Sequence, residues 1–147
     1  MKKLIAGFVV ALTLNGCSAQ SKEKEPLPKV TAENQHCTGD SECSAVWANV
    51  PEKLERITGI RINTVSDTYI STYSPSDDRF LGGSATLVPV NGKEKEIRPS
   101  FHCLRYMDDY NCQKLTILAT DAFNEGMKGI KKHTIITINN SLALALI

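Results

Sequence analysis

Residues 84–104 read SATLVPVNGKEKEIRPSFHCL, and the fold turns on how this stretch is taken. Two runs of strand-forming composition, 84–90 and 93–104, flank Asn91-Gly92. A type I′ turn needs two consecutive residues that tolerate positive φ, and Asn-Gly meets that need better than any other pair in this chain. The stretch therefore predicts an antiparallel hairpin. Pro99 has no N–H to give to a ladder, so it marks an edge strand or a bulge.

Working outward towards the N-terminus, residues 74–83 (SPSDDRFLGG) are rich in turn formers and predict a loop. Before it, Tyr69, Ser71 and Tyr73 alternate with their neighbours after a Ser66-Asp67 turn, and Ile60, Ile62 and Thr64 do the same ahead of that turn, so two more short strands are expected. Further upstream the period changes. Val46, Trp47, Val50, Leu54 and Ile57 recur at helical spacing, with Asp40 as the expected N-cap and Gly59 as a C-terminal stop. Pro51 removes one intrahelical bond and crowds the preceding turn, which predicts a kinked helix, or two short helices with Pro51 in the first turn of the second. Trp47 at this spacing reads as a core residue.

Downstream of the hairpin, Leu115, Leu118, Ala119, Ala122 and Phe123 recur at i, i+3, i+4, i+7, i+8, the signature of a second amphipathic helix, with Gly126 expected to end it. In the remainder, 127–147, residues 134–138 have strand composition and 142–147 are apolar or small. Two alternatives stand for this extension: a strand that covers a sheet edge, or a poorly packed tail. The order helix, strands, helix predicts an α+β domain, an antiparallel sheet of about four strands with two helices packed on one face.

Beyond Cys17 the chain has four cysteines, Cys37, Cys43, Cys103 and Cys112. An even number reads as disulfides in an exported protein. Cys37–Cys43 and Cys103–Cys112 are the favoured pairs because each closes a short loop, for roughly 2–3 kcal/mol apiece in the chain-entropy model. Crossed pairing, tying the start of the domain to its end, is the alternative. Zinc sites favour Cys-x2–4-Cys, and gaps of five and eight residues do not fit, even with His36 and His102 beside Cys37 and Cys103. No metal and no cofactor is therefore expected.

Export is read from the first residues. Lys2 and Lys3 precede an apolar run, Leu4 to Leu14, which at about 1.5 Å per helical residue is too short to span a ~30 Å hydrocarbon core. Leu14-Asn15-Gly16-Cys17 then resembles the lipobox of bacterial lipoproteins. The resemblance covers residues 1–17, and Asn15 departs from the usual small or aliphatic residue. It implies removal of residues 1–16, acylation of Cys17, and a membrane partner reached through the covalent lipid. Ser18, in place of Asp after the cysteine, implies the outer membrane, facing the periplasm, in a Gram-negative cell. Residues 17–35 are polar, with Pro26, Pro28 and alternating Lys and Glu, and read as the lipidated cysteine plus a flexible tether. A coil of about 19 residues holds a domain roughly 25 Å from the membrane. The disulfide-bonded domain is then 36–126, with 127–147 as the extension.

A second resemblance spans residues 37 to about 125. Cys43-x3-Trp47, Gly59-Ile60-Arg61-Ile62, Asp67 to Pro75 and Phe101-His102-Cys103 together are similar to a pattern in small exported bacterial proteins with paired cysteines. It implies one disulfide-bonded domain and no particular activity.

Charge narrows the partners. There are 17 Lys and Arg against 16 Asp and Glu, and loss of Lys2 and Lys3 leaves the processed chain one charge negative. No basic field exists to attract nucleic acid. No catalytic set assembles either. His36, His102 and His133 stand in no known catalytic motif, Cys-x-x-Cys and Gly-x-Ser-x-Gly are absent, and Asp77-Asp78 and Asp108-Asp109 are adjacent residues suited to solvated turns. An enzyme is the least supported reading. The segment that suits recognition is LRYMDDYN, residues 104–111, between Cys103 and Cys112. Closed by a disulfide, it would present Arg105, Tyr106, Met107, Asp108, Asp109 and Tyr110, of residue types common in binding hot spots, with little entropy left to lose. The plain alternative is a surface turn whose tyrosines cover the sheet. The expected function is thus non-enzymatic binding of an envelope protein, such as a lytic enzyme, through this loop. The competing expectation is a structural or accessory envelope lipoprotein with no specific partner.

Overall fold

The structure, a computed structural model, describes residues 24–144, and side chains as far as residue 137. Cys17 and its leader lie outside the described residues.

The predicted hairpin is the centre of the sheet. Strands β4 (Gly82–Asn91) and β5 (Glu94–His102) pair antiparallel from Gly82↔His102 to Asn91↔Glu94. Their connection is displaced by one residue from the expected Asn91-Gly92. Only Gly92 has positive φ, at 53°, so the two central residues are Gly92-Lys93, with the sign pattern of a II′ turn. A bulge between Pro89 and Asn91 absorbs the shift. On one side β4 pairs with β3 (Tyr69–Thr72), which pairs with β2 (Ile62–Val65). On the other, β5 pairs with β1 (Gln35–Thr38). The result is a five-stranded antiparallel sheet in the order β1-β5-β4-β3-β2, one strand more than the sequence predicts. The added strand straddles the expected boundary, with Gln35 from the tether and His36 to Thr38 from the domain, and His36↔Glu96 and Cys37↔Lys95 fix its register.

Pro51 has the expected consequence. The first helical region is two helices, α1 (Gly39–Trp47) and α2 (Val50–Thr58), with Pro51 in the first turn of α2, where its missing N–H costs nothing. Gly59, φ 69°, ends α2 and donates to the Glu55 carbonyl at 2.8 Å. The N-cap of α1 is Thr38, not Asp40. Thr38 makes no side-chain cap bond, and Asp40 lies in the first turn, where its charge complements the helix dipole. The reason is β1, which stays paired to Thr38. Gly39 then turns the chain at φ 75°, and its N–H reaches the Lys93 carbonyl at 2.9 Å.

Helix α3 (Asp109–Leu144) corrects two expectations. It does not end at Gly126, and through Leu144 the extension continues as helix, which neither alternative, an edge strand or a poorly packed tail, anticipates. A Cβ on Gly126 would fall on the Lys53 side chain, so this glycine serves the close crossing of α2 over α3. Its buried face also differs. Ala119, Phe123 and Met127 are buried as the core stripe, whereas Leu115 and Leu118 are 41% and 48% exposed. Phe123 meets Phe101 of β5 edge-on, ring centroids 6.3 Å apart.

Ile70, Ala85, Leu87, Ile97 and Phe101 project from one sheet face into the core with Val46, Trp47, Val50 and Leu54. Both disulfides are present with the favoured connectivity, Cys37–Cys43 and Cys103–Cys112. The first is part of the core, and Trp47 packs in the same cluster while its Nε1 donates to the Ser66 carbonyl at 3.0 Å.

The phase of α3 has a measurable consequence. Phe123→Ala should cost about 3–5 kcal/mol in urea unfolding, whereas Leu118→Ala should cost under about 1 kcal/mol. Equal costs would refute this packing.

Candidate functional site

The loop between β5 and α3 is built by three local devices. The Cys103–Cys112 disulfide closes it. The Met107 N–H donates to the Leu104 carbonyl at 3.0 Å and forms its turn. Asp108 then caps α3: its Oδ2 accepts the Asn111 N–H at 3.2 Å, and its carbonyl accepts the Cys112 N–H at 2.9 Å. The Asn111 N–H, followed by the Lys24 ammonium at 3.3 Å, holds the Asp108 carboxyl below the usual range.

The six side chains expected at this loop divide into two groups. Asp108 and Tyr110 are used internally. The Tyr110 hydroxyl donates to the Glu25 carbonyl at 2.8 Å, and Lys24 lies over its ring at 5.1 Å. Arg105 and Tyr106 are exposed, Tyr106 to 88%, and their side chains make no hydrogen bond among the described residues. Asp109 is exposed in the first turn of α3, and Met107 is half-buried.

The contacts of Asp108 and Tyr110 belong to a larger feature. Residues 24–34, expected to be flexible tether, instead form a strap along α3. From the N-terminal end upward, Lys24 meets Asp108, Glu25 meets Tyr110 and faces Lys114 at 3.7 Å, and Thr31 and Ala32 reach Asp121. The Asp121 carboxylate accepts the N–H of Ala32 at 2.7 Å and of Thr31 at 2.8 Å, with the Thr31 hydroxyl adding 3.0 and 3.1 Å contacts. Next to it the buried Asn124 donates to the Ala32 carbonyl at 2.9 Å and to Asn34 Oδ1 at 3.2 Å. Lys131 then donates to the His36 carbonyl at 2.7 Å, where the strap becomes β1. A polar cleft of about 400 Å³ opens beside the strap, with Glu125 and Lys128 among its walls.

No protein-family model matches the chain, and no curated protein is significantly similar to it.

Elsewhere the histidines are occupied structurally or lie on the surface. His36 Nδ1 faces Glu94 at 3.1 Å, and the His102 ring lies over Gly82 on the neighbouring strand. All four cysteine sulfurs of the domain are committed to disulfides. Asp77 is held by Arg79 through its side chain and backbone, which lowers its carboxyl from the ordinary value and makes it part of a turn. Among the described residues no helix is long and apolar enough to cross a membrane. The disulfides point to folding in an oxidising compartment outside the cytoplasm.

The strap is the feature that sequence reasoning missed. Its signal was a pair of polar residues, Asp121 and Asn124, set into the turns that carry Ala119, Phe123 and Met127. Buried or half-buried polar groups beside a core stripe need partners, and the strap supplies them for the Asp121 carboxylate and the Asn124 amide N–H, leaving Asn124 Oδ1 without one among the described residues.

The clasp should respond to acid. The backbone N–H groups of Ala32 and Thr31 hold the Asp121 carboxyl below its ordinary value. A depressed folded value means that the ionised clasp contributes stability above about pH 4, which is lost as pH falls through the folded value. Amide-exchange protection of Thr31 and Ala32 should therefore drop between pH 5 and pH 2. Asp121→Asn should show low protection throughout. Unchanged wild-type protection at pH 2 would show that the carboxylate does not hold the strap.

Proposed function

We propose that this chain is a lipid-anchored binding protein of the bacterial cell envelope, held to the membrane through Cys17, without enzymatic activity. Its disulfide-closed loop is the contact surface for another envelope protein. The observation that carries this reading is Tyr106, 88% exposed on a turn fixed at both ends by the Cys103–Cys112 bond and by the cap of α3. A large amphipathic ring kept in solvent on a pre-ordered loop loses little entropy on binding, and Tyr and Arg are enriched where binding energy concentrates.

The internal roles of Asp108 and Tyr110 narrow the contact to Arg105 and Tyr106, with Asp109 and Met107 at its margin. They also decide which variant tests the proposal. Changing Asp108 or Tyr110 would disturb the helix cap or the strap, whereas Arg105→Ala/Tyr106→Ala removes exposed side chains only. Recovery of a specific partner from cross-linked native envelopes should fall at least tenfold with that double variant, at unchanged melting temperature. Cys17→Ala should move the protein out of the membrane fraction. Failure to recover anything specific with the wild-type chain would favour a passive envelope component.

A further inference from the structure

We infer that the Cys103–Cys112 loop is the membrane-proximal end of the domain, and that its partner is a protein embedded in the same membrane as the lipid anchor. This rests on the proposed lipidation of Cys17. The strap decides the geometry. Because Lys24 and Glu25 are held at Asp108 and Tyr110, the free length between anchor and domain is not the chain up to residue 35. It is only residues 18–23, so Cys17 and Lys24 lie at most about 25 Å apart even with the chain fully extended. While these contacts hold, the loop stays within about this distance of Cys17.

The strap also fixes which end is far. It runs in the same direction as α3, from Asp108 past Asp121 to Lys131. Ile136, 50% exposed, lies about 40 Å beyond Asp109 along the helix axis, at 1.5 Å per residue. The anchor and the exposed Tyr106 are therefore at one end of the molecule, and the exposed isoleucines of α3 at the other.

The chemistry of the near end favours protein over lipid as the occupant. Lys24 is paired with Asp108, and Lys114 faces Glu25. Arg105 is balanced by exposed Asp109. There is no net positive charge to draw the loop onto anionic headgroups, and one fully exposed aromatic ring is little area for insertion. The same end carries exposed Leu115 and Leu118 in the first turns of α3, apolar surface suited to a protein contact. A membrane protein that rises to headgroup level, offering an apolar surface with an acidic group for Arg105, has the matching chemistry.

The test is photo-cross-linking in living cells. A benzophenone amino acid replaces Asp109, at the margin of the contact, in one variant and Ile136 in another, both with Cys17 intact and Arg105 and Tyr106 unchanged. Position 109 should yield an adduct with a protein that resists carbonate extraction, and position 136 should not yield that adduct. Releasing the lower strap with Asp121→Ala/Tyr110→Phe should lower the position-109 adduct at least threefold, because the tether then runs to residue 31, with Asn124 still holding Ala32. An adduct from position 109 with a soluble periplasmic protein would overturn the membrane-level inference but leave the binding function standing. Lipid adducts alone would overturn the protein partner, and the binding function proposed for the loop with it. The same adduct from both positions, or one insensitive to strap release, would overturn the positioning role of the strap. Membrane fractionation unaffected by Cys17→Ala would remove the anchor on which the inference rests.

Discussion

The rotation of α3 about its own axis is the constraint on which the other features depend. Two contacts set it, and both join α3 to β5. The Phe123 ring packs on Phe101 in the core, and the Cys103–Cys112 bond ties the first turn of the helix to the end of the strand. With Cys112 and Phe123 facing the sheet, the 100° step of a helix leaves no freedom for the other positions. Ala119, Phe123 and Met127 fall within one arc of about 80° and are buried, Asp121 and Asn124 meet the entering chain, and Leu118, roughly 140° from Phe123, faces out with Leu115 exposed at the margin. The polar clasp and the exposed apolar surface are thus consequences of one packing choice.

Much of the fold was legible because its signals are local. The hairpin, the split of the first helix at Pro51, the helical spacing around Leu54 and the short disulfide loops all depend on residues within one or two turns of each other. The features that were not legible depend on distant partners. β1 is Gln-His-Cys-Thr, with no apolar alternation, and it is a strand because β5 offers an unpaired edge more than fifty residues later. Asp40 loses the cap position for the same reason. Gly126 carries a stop signal that is real in isolation, but here a lysine from α2 crosses it, and the helix accepts the roughly 1 kcal/mol cost of an interior glycine.

The misplaced face of α3 is more instructive. Leu115, Leu118, Ala119, Ala122 and Phe123 satisfy helical periodicity, yet they straddle an arc wide enough to contain two different faces. Hydrophobicity alone favours the leucines. The cysteine does not. Once Cys112 is committed to Cys103 its direction is known, and positions seven and eleven residues later, Ala119 and Phe123, lie within about 20° of it, whereas Leu118 lies about 120° away. A covalent constraint therefore gives better phase information than apolar content, because it fixes a direction in space and apolar content fixes only a preference.

The candidate site follows the same logic of competing demands. Asp108 and Tyr110 looked suited to recognition by residue type, but both have work within the chain: a helix N-terminus needs an acceptor, and the strap needs a place to dock. Exposed ion pairs such as Lys24–Asp108 contribute little on their own. The backbone bonds to Asp121 and Asn124 hold the strap more firmly, because breaking them strands polar groups at a half-buried interface. Once those demands are met, Arg105 and Tyr106 are the loop's hot-spot types left over, and Tyr106 stays in solvent although a tyrosine could cover the core elsewhere. Tyr106 is thus a side chain left in solvent by a turn that the disulfide and the helix cap hold in place, and the proposed contact rests on that arrangement.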